Sequence, residues 1–395
     1  MLDPVETLRA LIAIPSVNPM GRQIEGPQLY ESRLTDYLQA RFEQTGLAWQ
    51  RQPVAPGRDN ILARLDGAPA THAGGELLLW EVHQDTVPVD GMTIDPFRPE
   101  LRDGRIYGRG ACDVKGGMAA MLCALDRLAR ARPVPRPTIV LACTVNEEFG
   151  FSGASALGDL WSPAANSILP RRPDAAIVAE PTGLDVVVAH MGCVRWRCHA
   201  LGHAAHSCQP ERGTNAIYRM GHVVCALEAY QRCVIPSLPA HPRCGSPSVS
   251  VGTIIGGTSV NTVPDRATIE IDRRLTPDED PDQAYQALQA YLANRAVGEG
   301  QLQHDPPLTA RGLSDRHNGA LASRLLAVAR RQYPPCRPVG VRFGTDAAVL
   351  ADAGLPTVVF GPGSIDEAHT ADEWLDLDQL HTATNIYYEL ACGNR

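Results

Sequence analysis

Seven side chains in this sequence have the types and spacing for metal-assisted hydrolysis. His83 and Asp85 close the run Glu76-Leu-Leu-Leu-Trp-Glu-Val-His83-Gln-Asp85. Alternate residues of a strand share a face. An imidazole able to bind a metal therefore stands beside a carboxylate able to fix its tautomer. Asn146-Glu147-Glu148 follows the apolar run 137–145, Glu180 follows 175–179, and His369 comes a longer loop after the run 356–360. Neighbours on an extended chain project differently, so one glutamate of the pair can bind metal while the other faces a reacting water as general base. Two histidines and at least three carboxylates at one mouth would make a divalent-metal site. Zinc accepts both donor types, and that much negative charge without cations is costly. Singly, each group has a plainer reading. His83-Asp85 and Glu147-Glu148 are also what a solvated strand end looks like. Asp113, between the Gly-rich turn Gly108-Arg-Gly110 and a helical pattern, is equally a helix N-cap.

Other chemistries lack their patterns. Gly108-Arg-Gly has no third glycine and no strand feeding it, so it is not a dinucleotide fingerprint. Gly150-Phe-Ser-Gly is not a nucleophile elbow. Cys112 reads as a buried structural thiol rather than a nucleophile.

The groups can converge only if the runs before them lie side by side. Those runs are short, apolar and bounded by turn residues, which predicts buried strands of a mostly parallel sheet. In such sheets the ligand crevice lies outside the carboxyl ends of the strands. Helices are expected after Asp3-Pro4, over 29–45, from Lys115 (with Met118, Met121, Leu122, Leu125 and Leu128 on one face), over 321–332 and over 377–390. Alternating helices and strands mean an α/β domain. Between them the texture changes to half-exposed strands (193–201, 248–255, 267–275, 301–304) and two helices (215–230, 281–295). Their β-α-β-β-α-β order is ferredoxin-like. The expected division is a catalytic domain in two parts, 1–190 and 307–395, around an inserted domain, 191–306.

Composition bounds the rest. The chain has 395 residues, 44% hydrophobic and 20% charged, which is globular and long enough for two domains. A net charge of −8 without blocks of like charge argues against a nucleic-acid partner. Eleven scattered cysteines, no leader-like start and no membrane-length apolar run lead us to expect a soluble, reduced, cytoplasmic protein.

Six stretches then carry a resemblance that spans nearly the whole chain: HQDTVP (83–88), GRGACDVKGG (108–117), NEEFG (146–150), EPT (180–182), GHAAHSCQPERGTNAI (202–217) and GPGSIDEAHTADEWL (361–375). In order and spacing they resemble the M20 metallopeptidase/deacylase family, which holds acetylornithine deacetylase, succinyl-diaminopimelate desuccinylase, aminoacylase and carboxypeptidases or dipeptidases. The resemblance implies an α/β/α zinc-peptidase-type catalytic domain with an inserted lid and dimerisation domain. It implies a metal-dependent hydrolase of linear amide bonds with two Zn2+ per chain, for which Co2+ or Mn2+ can substitute. His83 and Glu180 would hold one metal, Glu148 and His369 the other, with Asp113 bridging. Asp85 would orient His83, and Glu147 would be the general acid/base. In a homodimer His206 would reach the partner's site and hold the oxyanion. Arg274 would bind the substrate carboxylate, with Asn261, Gly344, Thr345 and His190 as further substrate contacts. The stretches 189–192 and 361–375 lean toward N-acetylornithine-type deacetylation, a step of arginine biosynthesis. Other N-acyl amino acids, dipeptides and a non-catalytic metal-binding protein remain the alternatives. Glu81-Val82 stands where the family has something smaller.

Overall fold

The computed structural model describes residues 1–68, 75–161, 167–295 and 302–392. The chain divides into two units. The first comprises Met1–Val188, Asp315–Val339 and Thr345–Arg395; the second comprises Ala189–Ser314 and Gly340–Gly344. The second unit thus extends past the expected 306, because the strand Leu308–Ala310 pairs with Gly192–Leu201.

The first unit is built on a mixed sheet. Its strand order is Ala48–Ala55, Arg58–Leu65, Thr138–Thr144, Leu77–His83, Ala175–Val178, Thr357–Val359, Val186–His190 and Pro338–Val341. The middle four run parallel, and Ala48–Ala55 and Arg58–Leu65 form an antiparallel hairpin. Every residue of Leu77–His83 is buried, as a strand covered on both faces requires. Leu78, Trp80 and Val82 join a core with helices Pro4–Ile12, Ser32–Thr45, Lys115–Ala131 and Leu377–Ala391. Trp80 meets Tyr387 there at 5.3 Å between ring centroids. Glu81, on the opposite face, lies near Asp346 at the start of helix Ala347–Asp352.

Local signals set the helix ends. The Asp3 carboxylate accepts from Glu6 N at 2.9 Å, with Pro4 in the first turn. Gly46, at φ 71°, closes Ser32–Thr45. That helix starts three residues later than expected. The strands Ala48–Ala55, Val186–His190 and Pro338–Val341 were not anticipated. The first is an edge strand carrying polar residues and Pro53, so it has neither a buried run nor clean alternation.

The second unit has antiparallel strands in the order Ser248–Gly256, Arg266–Leu275, Gly192–Leu201, Leu302–His304, with helices Ala216–Cys233 and Pro281–Arg295. Numbered along the chain, the four strands lie second, third, first, fourth, the ferredoxin-like arrangement. Arg266–Leu275 alternates strictly between buried and more exposed residues, because one face packs on the core and the other does not. Gln301, expected to start the last strand, and Gly74, expected in the turn before Leu77–His83, lie outside the described residues. Among the described residues no helix is long and apolar enough to cross a membrane. None of the eleven cysteines forms a disulfide.

Candidate metal centre

Within the first unit, the carboxyl ends of the parallel strands and the turn before helix Lys115–Ala131 bring five predicted ligands together. His83 Nε2 lies 3.2 Å from Asp113 Oδ1 and 3.9 Å from Glu180 Oε1. His369 Nε2 lies 3.2 Å from Asp113 Oδ2 and 3.3 Å from Glu148 Oε1. In each triple, His83–Asp113–Glu180 and Asp113–Glu148–His369, the donor atoms lie within 4.8 Å of one another. Asp113 gives one oxygen to each side.

Asp113 is not a helix cap. Helix Lys115–Ala131 begins at Val114 with no side-chain cap bond. The Asp113 loop is instead organised by Glu373, which is fully buried. Its carboxylate accepts from Gly110 N at 3.0 Å, Cys112 N at 2.8 Å, Asp113 N at 2.9 Å and Arg109 Nη1 at 2.5 Å. Gly110 has φ 83°, and a Cβ there would lie 2.9 Å from Thr86 Cγ2, so only glycine fits. Sequence reasoning gave Glu373 no role. Its available signal was an acid four residues beyond a ligand histidine, in a stretch of strong resemblance.

Asp85 differs from expectation. His83 Nδ1 bonds the main-chain oxygen of Asp85 at 2.9 Å, whereas the Asp85 carboxylate is 3.7 Å away. That carboxylate accepts from Glu147 N at 3.1 Å, Glu148 N at 3.2 Å and Asn18 Nδ2 at 2.7 Å. It therefore holds the glutamate pair, and a backbone carbonyl orients the histidine. The reason lies in the turn after Thr138–Thr144. Asn146 adopts φ 66°, which asparagine tolerates, and the turn presents both glutamate amides to Asp85. The Asn146 side chain is pinned by Asn18, Arg58 and Ser152. His369 also sits in the left-handed region, at φ 60°. Such a conformation costs of order 1–3 kcal/mol and persists where the surroundings over-determine it.

The donor set fits divalent cations. Burial raises the Glu147 and Glu180 carboxyls well above their ordinary range. Burial, with the Asp113 charge, pushes Glu148 up to about 7. Burial works against charging His83, but Asp113, Glu180 and Glu147 outweigh it and raise its pKa well above the ordinary value. Hydrogen bonds to Asp113 and Glu148 push His369 up to about 10. Burial also opposes ionisation of Asp113, yet His369 and His83 hold it below its usual range. Protons thus balance the charge of this cluster, a task that bound cations take over with proton release. Around Glu148 Oε1 the near polar neighbour is the His369 ring at 3.3 Å, so this buried oxygen is free to face a cation once that histidine gives up its proton.

Glu81, the bulky residue before Val82, is fully buried and accepts from the Thr144 hydroxyl. Thr144 Oγ1 also lies 3.3 Å from Asp346 Oδ2. Burial pushes Glu81 up to about 7 and raises Asp346 as well. Two desolvated carboxyls side by side cannot both ionise cheaply.

In the second unit, His206 and Asn261 come together on an exposed ribbon. Ala205–His206 pairs with Thr262–Val263, and Ser207 N donates to Asn261 O at 3.0 Å. Arg274 forms an ion pair with Asp272 at 3.0 Å. Gly344 belongs to this unit and Thr345 to the first; Thr345 is buried, and its hydroxyl accepts from Ala347 N at 3.1 Å. His190, expected as a substrate contact, is fully buried, with Nδ1 2.9 Å from Met191 O. Burial lowers its pKa from 6.5 to about 4. Between those values the unfolded chain binds a proton that the folded chain refuses, so this histidine lowers stability as pH falls from about 6.5 to about 4. The loss is on the order of 3 kcal/mol. His190→Gln is therefore expected to flatten the fall of the urea midpoint between pH 7 and pH 4.5; an unchanged slope would mean that His190 titrates normally.

A nitrogen and oxygen donor cluster at the carboxyl ends of the parallel strands is a place for divalent cations. The chain belongs to peptidase family M20/M25/M40, whose model matches residues 79–392, and the family match makes the chain a hydrolase of amide bonds. It is 32% identical over 356 residues to an acetylornithine deacetylase of Myxococcus xanthus, covering 88% of each chain. It is 31% identical to an acetylornithine deacetylase of Photorhabdus laumondii, covering 98% of this chain and 96% of that one. Its fold is similar to an M20 family metallo-carboxypeptidase of Sulfolobus solfataricus (TM-score 0.77, 19% identity, 99% of both chains). It is also similar to a dinuclear metal binding peptidase of that family from Bacillus subtilis (TM-score 0.65, 18% identity, 98% of this chain and 96% of that one).

Proposed function

We propose that this chain is a dinuclear-zinc amidohydrolase that removes the acyl group from an N-acyl amino acid. The observation that carries this reading is the pair of triples sharing Asp113, with Glu147 beside them and in neither. His83 and Glu180 would hold one cation and Glu148 and His369 the other, Asp113 serving both; Co2+ or Mn2+ would substitute. When bound, two such ions supply a Lewis acid for the amide carbonyl and acidify water.

The chain's own residues do the rest. Asp85 fixes the backbone of Glu147, so its carboxylate stays on the reacting water. Glu147 takes a proton from that water as the oxygen bonds to the acyl carbon. It returns the proton to the amine nitrogen as the C–N bond breaks. His206 would donate to the oxyanion, an interaction typically worth about 3 kcal/mol. Arg274 would take the substrate carboxylate, whose geometry its planar fork matches; Asn261, Gly344 and Thr345 would complete the contacts. N-Acetylornithine, named in the relatives, is the first compound to test, and the setting is the cytoplasm. A succinylated amino acid or a dipeptide is the alternative.

The test is hydrolysis of a panel of N-acetyl amino acids by zinc- and cobalt-loaded protein. Turnover that EDTA abolishes and iodoacetamide leaves intact is expected. Burial raises the Cys112 thiol well above its usual value, so alkylation should spare it; the exposed Cys208, whose amide donates to His206 Nδ1, is replaced by serine for this arm of the test. Metal binding without turnover on any amide would favour a non-catalytic metal-binding protein.

The second unit would also dimerise. Ser248–Gly256 is the outer strand of its sheet, and Ile254 and Ile255 on it are 59% and 73% exposed. An unpaired edge carrying apolar side chains is a pairing surface. Ile255→Lys is expected to convert a dimer to a monomer by light scattering and to lower activity if His206 works in the partner's site. A fully active monomer would overturn both statements.

A further inference from the structure

The second unit holds a cavity of about 570 Å³, lined among others by Gln231, Ser246, Ser248, Arg274, Arg342 and Phe343. No carboxylate is among its lining residues. The two arginines differ in how their charge is met. Arg274 already faces Asp272 at 3.0 Å, and Asp272 also pairs with Arg195 at 3.0 Å. Arg342 is exposed and has no ion-pair partner among the described residues. The cavity therefore carries a net positive field, with hydrogen-bonding Ser and Gln groups and one aromatic wall. Its volume falls in the range of small-molecule sites, which place a few polar groups in an otherwise accommodating space. A single carboxylate would use a small part of it.

We propose that Arg342 is a specificity-determining residue that reads a second anionic group on the substrate. The substrate class is then N-acyl amino acids carrying two carboxylates, on the side chain or on the acyl group. This rests on the function proposed above, which commits Arg274 to the α-carboxylate and leaves Arg342 for the other anion. A guanidinium binds a carboxylate through two parallel N–H donors, and Ser246, Ser248 and Gln231 can supply the remaining hydrogen bonds. An alkylammonium side chain would meet two cations and no acid here. Like-charge juxtaposition of that kind discriminates as strongly as attraction does. N-Acetylornithine is accordingly the poorer substrate of this chain.

The experiment compares kcat/KM of the metal-loaded protein on N-acetylglutamate, N-acetylglutamine, N-succinylglutamine and N-acetylornithine, for wild type, Arg342→Gln and Arg342→Glu. Wild type is expected to favour one of the two dicarboxylates over N-acetylglutamine by at least tenfold, and N-acetylornithine to be the poorest. Arg342→Gln should erase that preference through KM rather than kcat, and Arg342→Glu should shift preference toward N-acetylornithine. A wild-type preference for N-acetylornithine overturns the inference. So does an equal loss on all four compounds in Arg342→Gln. If no compound is hydrolysed, the function proposed above has failed, and glutarate binding by calorimetry then decides the inference alone. At least tenfold weaker glutarate binding in Arg342→Gln supports it, and equal binding in both proteins overturns it. Circular dichroism of both variants separates misfolding from a loss of recognition.

Discussion

Glu147→Gln is expected to lower kcat roughly 10³-fold, the effect of removing a general acid/base, while metal content stays at the wild-type level. In barrier terms that is about 4 kcal/mol. The two halves of this prediction rest on separate observations. Glu147 belongs to neither donor triple, so replacing its carboxylate removes no ligand. Its backbone is held by Asp85 at 3.1 Å, so the glutamine side chain keeps the same starting point. What is lost is the proposed proton acceptor. Turnover by stopped assay and metal by elemental analysis would be measured on the same preparation. A variant that loses metal would show that Glu147 is a ligand, and a variant with near-normal kcat would place the base elsewhere.

Glu373→Gln is expected to lower stability by about 3–5 kcal/mol, the usual cost of breaking a buried ion pair on one side. Arg109 is 2% exposed and would be left without its anion. The amide also offers one acceptor oxygen where the carboxylate serves four donors, and its NH2 would point at a backbone N–H. The same substitution releases the loop that carries Asp113, so the metal should be lost with the stability. Asp113→Asn provides the contrast. It removes the member common to both donor triples but leaves Glu373 and its four donors in place, so it should lose metal while its metal-free form loses less stability than that of Glu373→Gln. Thermal unfolding of the metal-free proteins, with metal content, reads both. If Glu373→Gln unfolds like wild type when metal-free, the Glu373 network does not support the loop.

A second consequence concerns Asp85. Its place in the sequence, two residues past a ligand histidine, suggests an orienting partner for that histidine. The structure turns its carboxylate to the Glu147 and Glu148 amides instead. It holds the backbone of the residues proposed as acid/base and as metal ligand, Glu147 and Glu148.

The parts of this protein that were legible from sequence are those fixed by local pattern. Leu77–His83 and Thr138–Thr144 are apolar along their length, so they read as buried strands, and the polar residues at their ends read as a site. The N-cap Asp3 was similarly visible, accepting from the amide three residues on. The edge strands were not: Ala48–Ala55 mixes polar and apolar residues, and Pro338–Val341 is four half-buried residues that include a proline and a glycine.

The sequence by itself determined which side chains could do chemistry and which core strands deliver them, since residue type and period are properties of neighbours along the chain. Only the tertiary structure decided what those groups face. It set one Asp113 oxygen toward His83 and the other toward His369, gave Glu373 the loop between them, and shut His190 inside the second unit. Hydrogen-bond partners and burial depend on which distant loops share a sheet edge, and that is settled only when the strands are assembled.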